Sequence, residues 1–179
     1  MITYTKGDLL KEYRNGMCDV IAHCANCQRV MGSGIAYQIK NEMPEAYNAY
    51  IQFDNYEKEL DLGTISYAPV DHGIVVNLHA QHLYGYDGSR FVNYEAIYAT
   101  LMQTRDLMLD KDLKIVGVPY KMACDRAGGD WRIISAMLEV IFENTGIEVL
   151  VVVINIGLKT AFCNKLIIFN NEWYKMVLL

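Results

Sequence analysis

Residues 23 to 40 read HCANCQRVMGSGIAYQIK, which brings a histidine, two cysteines spaced C-x-x-C, an asparagine and the glycines Gly32 and Gly34 into one short segment. Three chemistries fit it. His23, Cys24 and Cys27 could ligate a metal, the cysteines could form a redox dithiol, or the turn Met31-Gly32-Ser33-Gly34 could hold a phosphate on main-chain amides. A second stretch, ACDRAGGD from Ala123 to Asp130, again sets glycines among polar residues. A zinc site needs more ligands, and only His23 and Cys124 offer a convenient completion. Thioredoxin-type oxidoreductases place their cysteine pair differently. Phosphate binding is the favoured chemistry, with no metal and no cofactor expected. Glycine lets an N–H approach an anion with no Cβ in the way, and a following helix adds the positive end of its dipole. The plain alternative is that Gly32, Gly34, Gly128 and Gly129 serve only tight turns.

Both loops gain meaning from the elements around them. DVIAHCA is a compact apolar run that reads as a buried strand, and Ile35, Ala36, Ile39, Met43, Ala46 and Tyr50 then recur at helical spacing, with Pro44 dividing that stretch into two helices. LKIVGVPY is a second buried strand, ending where Pro119 removes a donor; the helix WRIISAMLEVIFENTG follows, capped by Asp130 and stopped by Gly146. Each loop therefore lies after a strand and before a helix, where ligands bind in open α/β sheets. ITYT opens the chain as a strand and GDLLKEYRNG follows as a short helix with Asp8 at its start. GTISYAPV and GIVVNLHA pair as a hairpin across Asp71-His72-Gly73, NYEAIYATLMQTRDLML forms a helix with Ile97, Leu101 and Leu107 or Met108 inward, and IEVLVVVI is a last central strand. The fold class is α/β: a three-layer α/β/α sandwich whose sheet is mixed but mostly parallel. One domain covers residues 1–153, and residues 154–179 form an extension in which Leu166-Ile167-Ile168-Phe169 could add an edge strand.

Composition narrows the partners. With 53% hydrophobic and 21% charged residues the chain reads as globular, and a formal net charge of −5 without a basic tract disfavours sequence-independent binding to duplex nucleic acid. No apolar run approaches a membrane span, the start MITYTKGD has no signal-peptide pattern, and five cysteines at positions 18, 24, 27, 124 and 163 suit free thiols in a reducing compartment. A cytoplasmic location is expected. Neither loop matches G-x-x-x-x-G-K-[ST], and no clean G-x-G-x-x-G follows the first strand.

K-G-D-L near the N-terminus, V-I-A-H-C-A-N followed by M-G-S-G-I-A, N-Y-E-A opening a helix, and V-P-Y-K with A-G-G-D-W occur in that order over roughly residues 1 to 153. In this the chain resembles the macrodomains, the ADP-ribose-binding fold. It is similar to the small stand-alone branch that includes ADP-ribose-1''-phosphate phosphatases and hydrolases removing ADP-ribose from proteins, in bacteria and their viruses. The resemblance implies a ligand that is ADP-ribose or a related NAD-derived nucleotide, with an ADP-ribosylated protein as a possible partner. Nucleic acid would enter only as an ADP-ribosylated or phosphorylated end, in the cytoplasm of a bacterium or a phage-infected cell. It implies that Asp8, beside the Leu9 backbone, accepts from the adenine amino group, that Asn26 meets the distal ribose, and that Gly32, Ser33, Gly34 and Ile35 donate to the diphosphate. Ala123, Cys124, Asp125, Arg126, Ala127 and Gly128 would close over the other side.

The chain also departs from that branch. The second loop there commonly reads G-C-G-L-A-G-G-D-W, so Asp125 brings a carboxylate towards the phosphates and Arg126 a cation that could offset it. Members that cleave ADP-ribose from glutamate through a lysine carry it shortly after the fourth strand. Here that segment is Leu78-His79-Ala80-Gln81-His82, and the partner aspartate corresponds to Ala127. Removing a group from the distal ribose then needs another residue to activate water or protonate an oxygen. His23, His82 and Asp130 are the titratable candidates, with Asp130 first and His23 second as catalytic residues; a helix cap and a core histidine are their plain alternatives. A reader or sponge that binds ADP-ribose without turnover is the rival function, and an interaction domain with an empty cleft is a third.

Overall fold

The computed structural model describes residues 1–53, 60–85 and 87–154. Eleven elements follow in order: β1 (Ile2–Gly7), α1 (Leu9–Arg14), β2 (Val20–Asn26), α2 (Gly34–Glu42), α3 (Pro44–Gln52), β3 (Ile65–Val70), β4 (Gly73–Gln81), α4 (Tyr94–Asp110), β5 (Ile115–Pro119), α5 (Trp131–Phe142) and β6 (Glu148–Ile154). The six strands form one sheet in the order β1-β6-β5-β2-β4-β3. Only the hairpin β3–β4 is antiparallel; every other neighbouring pair is parallel. The α/β/α sandwich and its mixed sheet are as the sequence predicts.

The strand period of two sorts side chains between the layers. Val20 and Ala22 of β2, with Val76 and Leu78 of β4, join Ile97, Leu101, Ile134 and Leu138 from α4 and α5. Ile21, Ala25 and Val75 face the other way and join Leu10, Tyr13, Ile39, Ala46 and Tyr50 from α1, α2 and α3. Pro44 divides the helical stretch as expected, with Met43 between the two helices. The expected stop at Gly146 is corrected: α5 ends at Phe142, because Glu143 turns extended (φ −59°, ψ 135°) and Asn144 adopts a left-handed φ of 57°. The proposed edge strand at residues 166–169 lies outside the described residues.

One feature of the sheet sets up the site. β2 pairs with β5 through only Val20↔Val116 and Ile21↔Gly117. Beyond that point β2 continues along β4 as far as Asn26, and β5 continues along β6 as far as Pro119. The two central strands part towards their carboxyl ends, and the chain winds outward to opposite sides from them. A crevice at such a switch point is where open α/β sheets bind ligands.

Candidate functional site

The two glycine-bearing loops leave the parted ends of β2 and β5. The first is fixed at its root by Asn26, which is buried: its Oδ1 accepts from Gln28 N (3.0 Å), Val30 N (3.2 Å) and Tyr50 Oη (3.1 Å), and its Nδ2 donates to Val30 O (2.6 Å). Arg29, at φ 60°, reaches under the loop to donate to Tyr50 O, Ile51 O and Phe53 O at 2.7–2.9 Å, holding the carboxyl end of α3. Cys27 N bonds Gln81 O (2.7 Å), and Leu60 N bonds Cys27 O (3.0 Å).

What the anchored root presents is a helix start without a lid. α1, α4 and α5 each begin at a side chain that accepts a backbone N–H: Asp8 from Lys11, Asn93 from Ala96 and Asp130 from Arg132. Ser33 stands at the same position of α2, in extended backbone (φ −163°, ψ 165°), and its side chain makes no cap hydrogen bond. Among the described residues, the N–H groups of Gly32, Ser33, Gly34 and Ile35 have no protein acceptor. Gly34 takes a left-handed φ of 55°, and a Cβ there would meet nothing within 4 Å, so the turn faces open space. Unsatisfied donors at a positive dipole end suit an anion.

The second loop curls through three left-handed residues, Lys121 (φ 57°), Ala123 (φ 59°) and Gly128 (φ 68°). Gly129 N closes it onto Ala123 O (2.9 Å), and Ala127 O accepts from Phe91 N (2.9 Å) and Val92 N (3.0 Å), which ties it to the connection between β4 and α4. A Cβ on Gly129 would come 2.6 Å from Ala123 O, so that glycine is required by packing. The N–H groups of Asp125, Ala127 and Gly128 have no protein acceptor among the described residues. Asp125, Arg126 and Gly128 are exposed; Ala123 and Cys124 are partly buried, and Ala127 is buried.

Asp8 and Leu9 follow β1 at the carboxyl end of the sheet; Leu9 begins α1, and its side chain packs over β5, where a Cβ on Gly117 would lie 2.8 Å from Leu9 Cδ1. Asp8 Oδ1 caps α1 by accepting from Lys11 N (3.0 Å), which leaves Oδ2 outside that bond.

The structure gives the surroundings of His23, Asn26 and Asp130, and only the burial of His23 corrects an expectation. His23 is fully buried under α2 and α3, with Nε2 2.7 Å from Asn77 Oδ1, and burial lowers its pKa to about 4. A sealed, neutral ring cannot reach substrate, so His23 is a core histidine; Asn77, Ser66, His79 and Thr64 continue its buried polar chain. Asn26 is likewise the staple of its loop, and its carbonyl oxygen already carries three donors. Asp130 caps α5 and is gripped by Arg132, with Nη2–Oδ2 at 2.5 Å and Nε–Oδ1 at 3.1 Å. The Arg132 hydrogen bonds hold its carboxyl below the usual carboxylate range. It is a stable anion and a weak base.

The cysteine pair is split across the sheet, with Cys24 packed on the α4/α5 side and Cys27 on the α1–α3 side. Burial pushes the Cys24 thiol up and raises Cys124 to about 11, the reverse of what a reactive thiolate requires. Among the described residues no three His, Cys, Asp or Glu side chains gather as a metal would need. Tyr50 and the Phe91–Val92 support were missed in the sequence, where their long separations from the loops leave no local signal; Arg29, inside the first loop, was missed because its acceptors lie at the far end of α3.

The fold matches the macrodomain of Mycobacterium tuberculosis DarG at a TM-score of 0.70 and 24% identity, covering 85% of this chain and 97% of that one. The chain has the macrodomain fold. Thermosipho africanus DarTG, a structure in complex with ADP-ribose, superposes at a TM-score of 0.67 and 18% identity, over 85% of this chain and 41% of that one. Sequence comparison finds DNA ADP-ribosyl glycohydrolases of Mycobacterium bovis and Mycobacterium tuberculosis, each 44% identical over 50 residues, a match spanning 28% of this chain and 13% of those proteins. No family model matches the chain. In macrodomain terms, the parted β2 and β5 and their two amide-bearing loops are the features this chain brings to the fold's sheet crevice.

Proposed function

We propose that the chain is a macrodomain that binds ADP-ribose, its diphosphate held between the first turn of α2 and the loop 123–129. The observation that carries this is α2's missing side-chain cap: Ser33 stands at the cap position without using its hydroxyl, and the N–H groups of Gly32 to Ile35 are open to an acceptor. A diphosphate supplies acceptors on both flanks, which suits a crevice with donors on both walls. Asp8 would take the adenine amino group over the β1 side.

The local likeness to DNA ADP-ribosyl glycohydrolases supports a finer reading, in which the protein releases ADP-ribose from a modified nucleic acid by hydrolysis at the distal ribose. ADP-ribosylated protein and ADP-ribose-1''-phosphate rank below it as substrates. Asp125, Asp130, His82 and Lys121 are the titratable side chains at this end of the sheet that could assist a water, and Asp130 would do so only as a fixed anion. A binder without turnover is the second reading, favoured by the segment 78–82 lacking lysine, by Ala127 in place of an acid, and by the burial of His23. Incubation of the pure protein with an ADP-ribosylated oligonucleotide, an ADP-ribosylated protein and ADP-ribose-1''-phosphate separates the readings. Release from the oligonucleotide first supports the hydrolase; calorimetric binding with no product from any of the three supports the binder; no heat with ADP-ribose refutes both.

A further inference from the structure

The β1 flank of the sheet is thinly covered. Among the described residues β1 pairs only with β6, and none of its residues is buried, whereas β6 buries Val149 to Val152. On the α4/α5 face, Ile2 and Tyr4 of β1 are only partly buried. A groove of about 370 Å³ runs there, lined by Met1 and Ile2 on one side and by Leu138, Val140 and Phe142 of α5 on the other. Val140 is 64% and Ile133 41% exposed, two helical turns apart, so α5 turns apolar side chains outward along its length. Glu139 and Glu143 stand in the same lining and make it acidic.

The groove lies at the amino end of β1 and β6, where α5 finishes. β6 releases the chain at the opposite end, at Ile154, which is 61% exposed and stands beside Gly7. Residues 155–179 follow. Their sequence carries Leu166-Ile167-Ile168-Phe169, Trp173, Tyr174 and Met176 to Leu179, and sets Lys159, Lys165 and Lys175 against a single acid, Glu172. The way back along β1 is about 20 Å at the rise of a strand, and the segment would span about 37 Å even as one helix.

We propose that residues 155–179 return along the outer side of α5 and seat apolar side chains in this groove, so that the β1 flank is a docking surface for the chain's own C-terminal segment. Apolar surface on both partners then leaves water together, which drives the docking. The lysines meet an acidic lip; exposed ion pairs each contribute little, so they orient the segment more than they hold it. A second copy of the chain offers the same side chains, but the tethered segment is present at an effective concentration in the millimolar range and takes the groove first.

Trp131 and Trp173 are the two tryptophans, so Trp131→Phe in the full chain leaves Trp173 as the sole reporter, with a ring kept against Tyr120. Acrylamide is then expected to quench Trp173 at least about threefold less steeply than it quenches N-acetyltryptophanamide, because a docked ring is shielded from solvent. Val140→Asp sets a third carboxylate in the groove and lowers the ratio of docked to released segment about tenfold or more, bringing quenching close to that of the free amide. Val140→Gln, a good helix former, repeats the test without added charge and also raises quenching. Val140→Leu keeps the shielding, and Leu109→Asp, at an exposed position of α4, leaves it unchanged. Trp173 quenched as steeply as the free amide in the parent overturns the docking, as does shielding that survives both polar substitutions. Shielding that disappears on dilution, with a dimer in sedimentation at the higher concentration, overturns it in favour of a second copy.

Discussion

Gly34→Ala separates a glycine kept for a turn from one kept for a ligand. Its left-handed φ of 55° costs an alanine about 1 kcal/mol relative to glycine. No clash adds to that, because the new Cβ meets nothing within 4 Å. For a chain of this size the loss corresponds to a fall in Tm of about 2–4 °C without ligand. The effect on binding is larger. The N–H groups of Gly34 and Ile35 have no acceptor among the described residues, and a hydrogen bond to a charged acceptor contributes about 1.5–3 kcal/mol. A methyl group that holds the diphosphate off one of them weakens ADP-ribose binding about tenfold or more. Thermal unfolding reads the first quantity and titration calorimetry the second. Gly129→Ala serves as the contrast, because its Cβ would press on Ala123 O at 2.6 Å and the fold itself suffers. A Gly34→Ala protein with a lowered Tm and an unchanged Kd would show that the diphosphate does not lie on this turn.

Asn26→Ala removes four hydrogen bonds from a buried staple, and a loss of about 2–3 kcal/mol in urea unfolding is expected, with weaker ADP-ribose binding as the loop loosens; unchanged stability would refute the staple. Burial lowers the folded-state pKa of His23 and His79 to about 4 from 6.5, so the unfolded chain takes up these protons first. Their contribution to stability is full above pH 6.5 and falls towards pH 4, reaching a loss of about 2 kcal/mol per histidine at pH 5, which urea melts at pH 7 and pH 5 would register. Asp130→Asn keeps a cap acceptor and should keep both fold and any turnover, whereas Asp130→Ala lowers Tm; a loss of turnover in the asparagine variant with intact binding would make Asp130 catalytic. Asp125→Gly with Arg126→Leu should change the relative affinities for ADP-ribose and its 1''-phosphate, and identical affinities for both would dismiss that pair as a selector.

Local signals carried the elements well. Asp8 and Asp130 were readable as caps because a short acceptor precedes an apolar periodic run, and Pro44 and Asp71 marked a helix break and a hairpin for equally local reasons. The end of α5 was misplaced because glycine is a strong stop signal, while the backbone of Glu143 and Asn144 had already turned away. The site was legible only as two loops of one kind. That they leave neighbouring strands depends on β2 lying beside β5, a pairing between segments about a hundred residues apart that no short window contains. Asn26 shows the same limit: a polar residue ending a strand gives no local sign that Tyr50 and the returning chain will lie on it.

The brief pairing of β2 with β5 also bears on how such a protein can diverge. Where two strands separate after two residue pairs and a turn offers its peptide groups, most nearby side chains can change without altering what the main chain offers. Identities of 18% and 24% alongside TM-scores of 0.67 and 0.70 are in keeping with a fold kept as a path of the main chain while the side chains along it change.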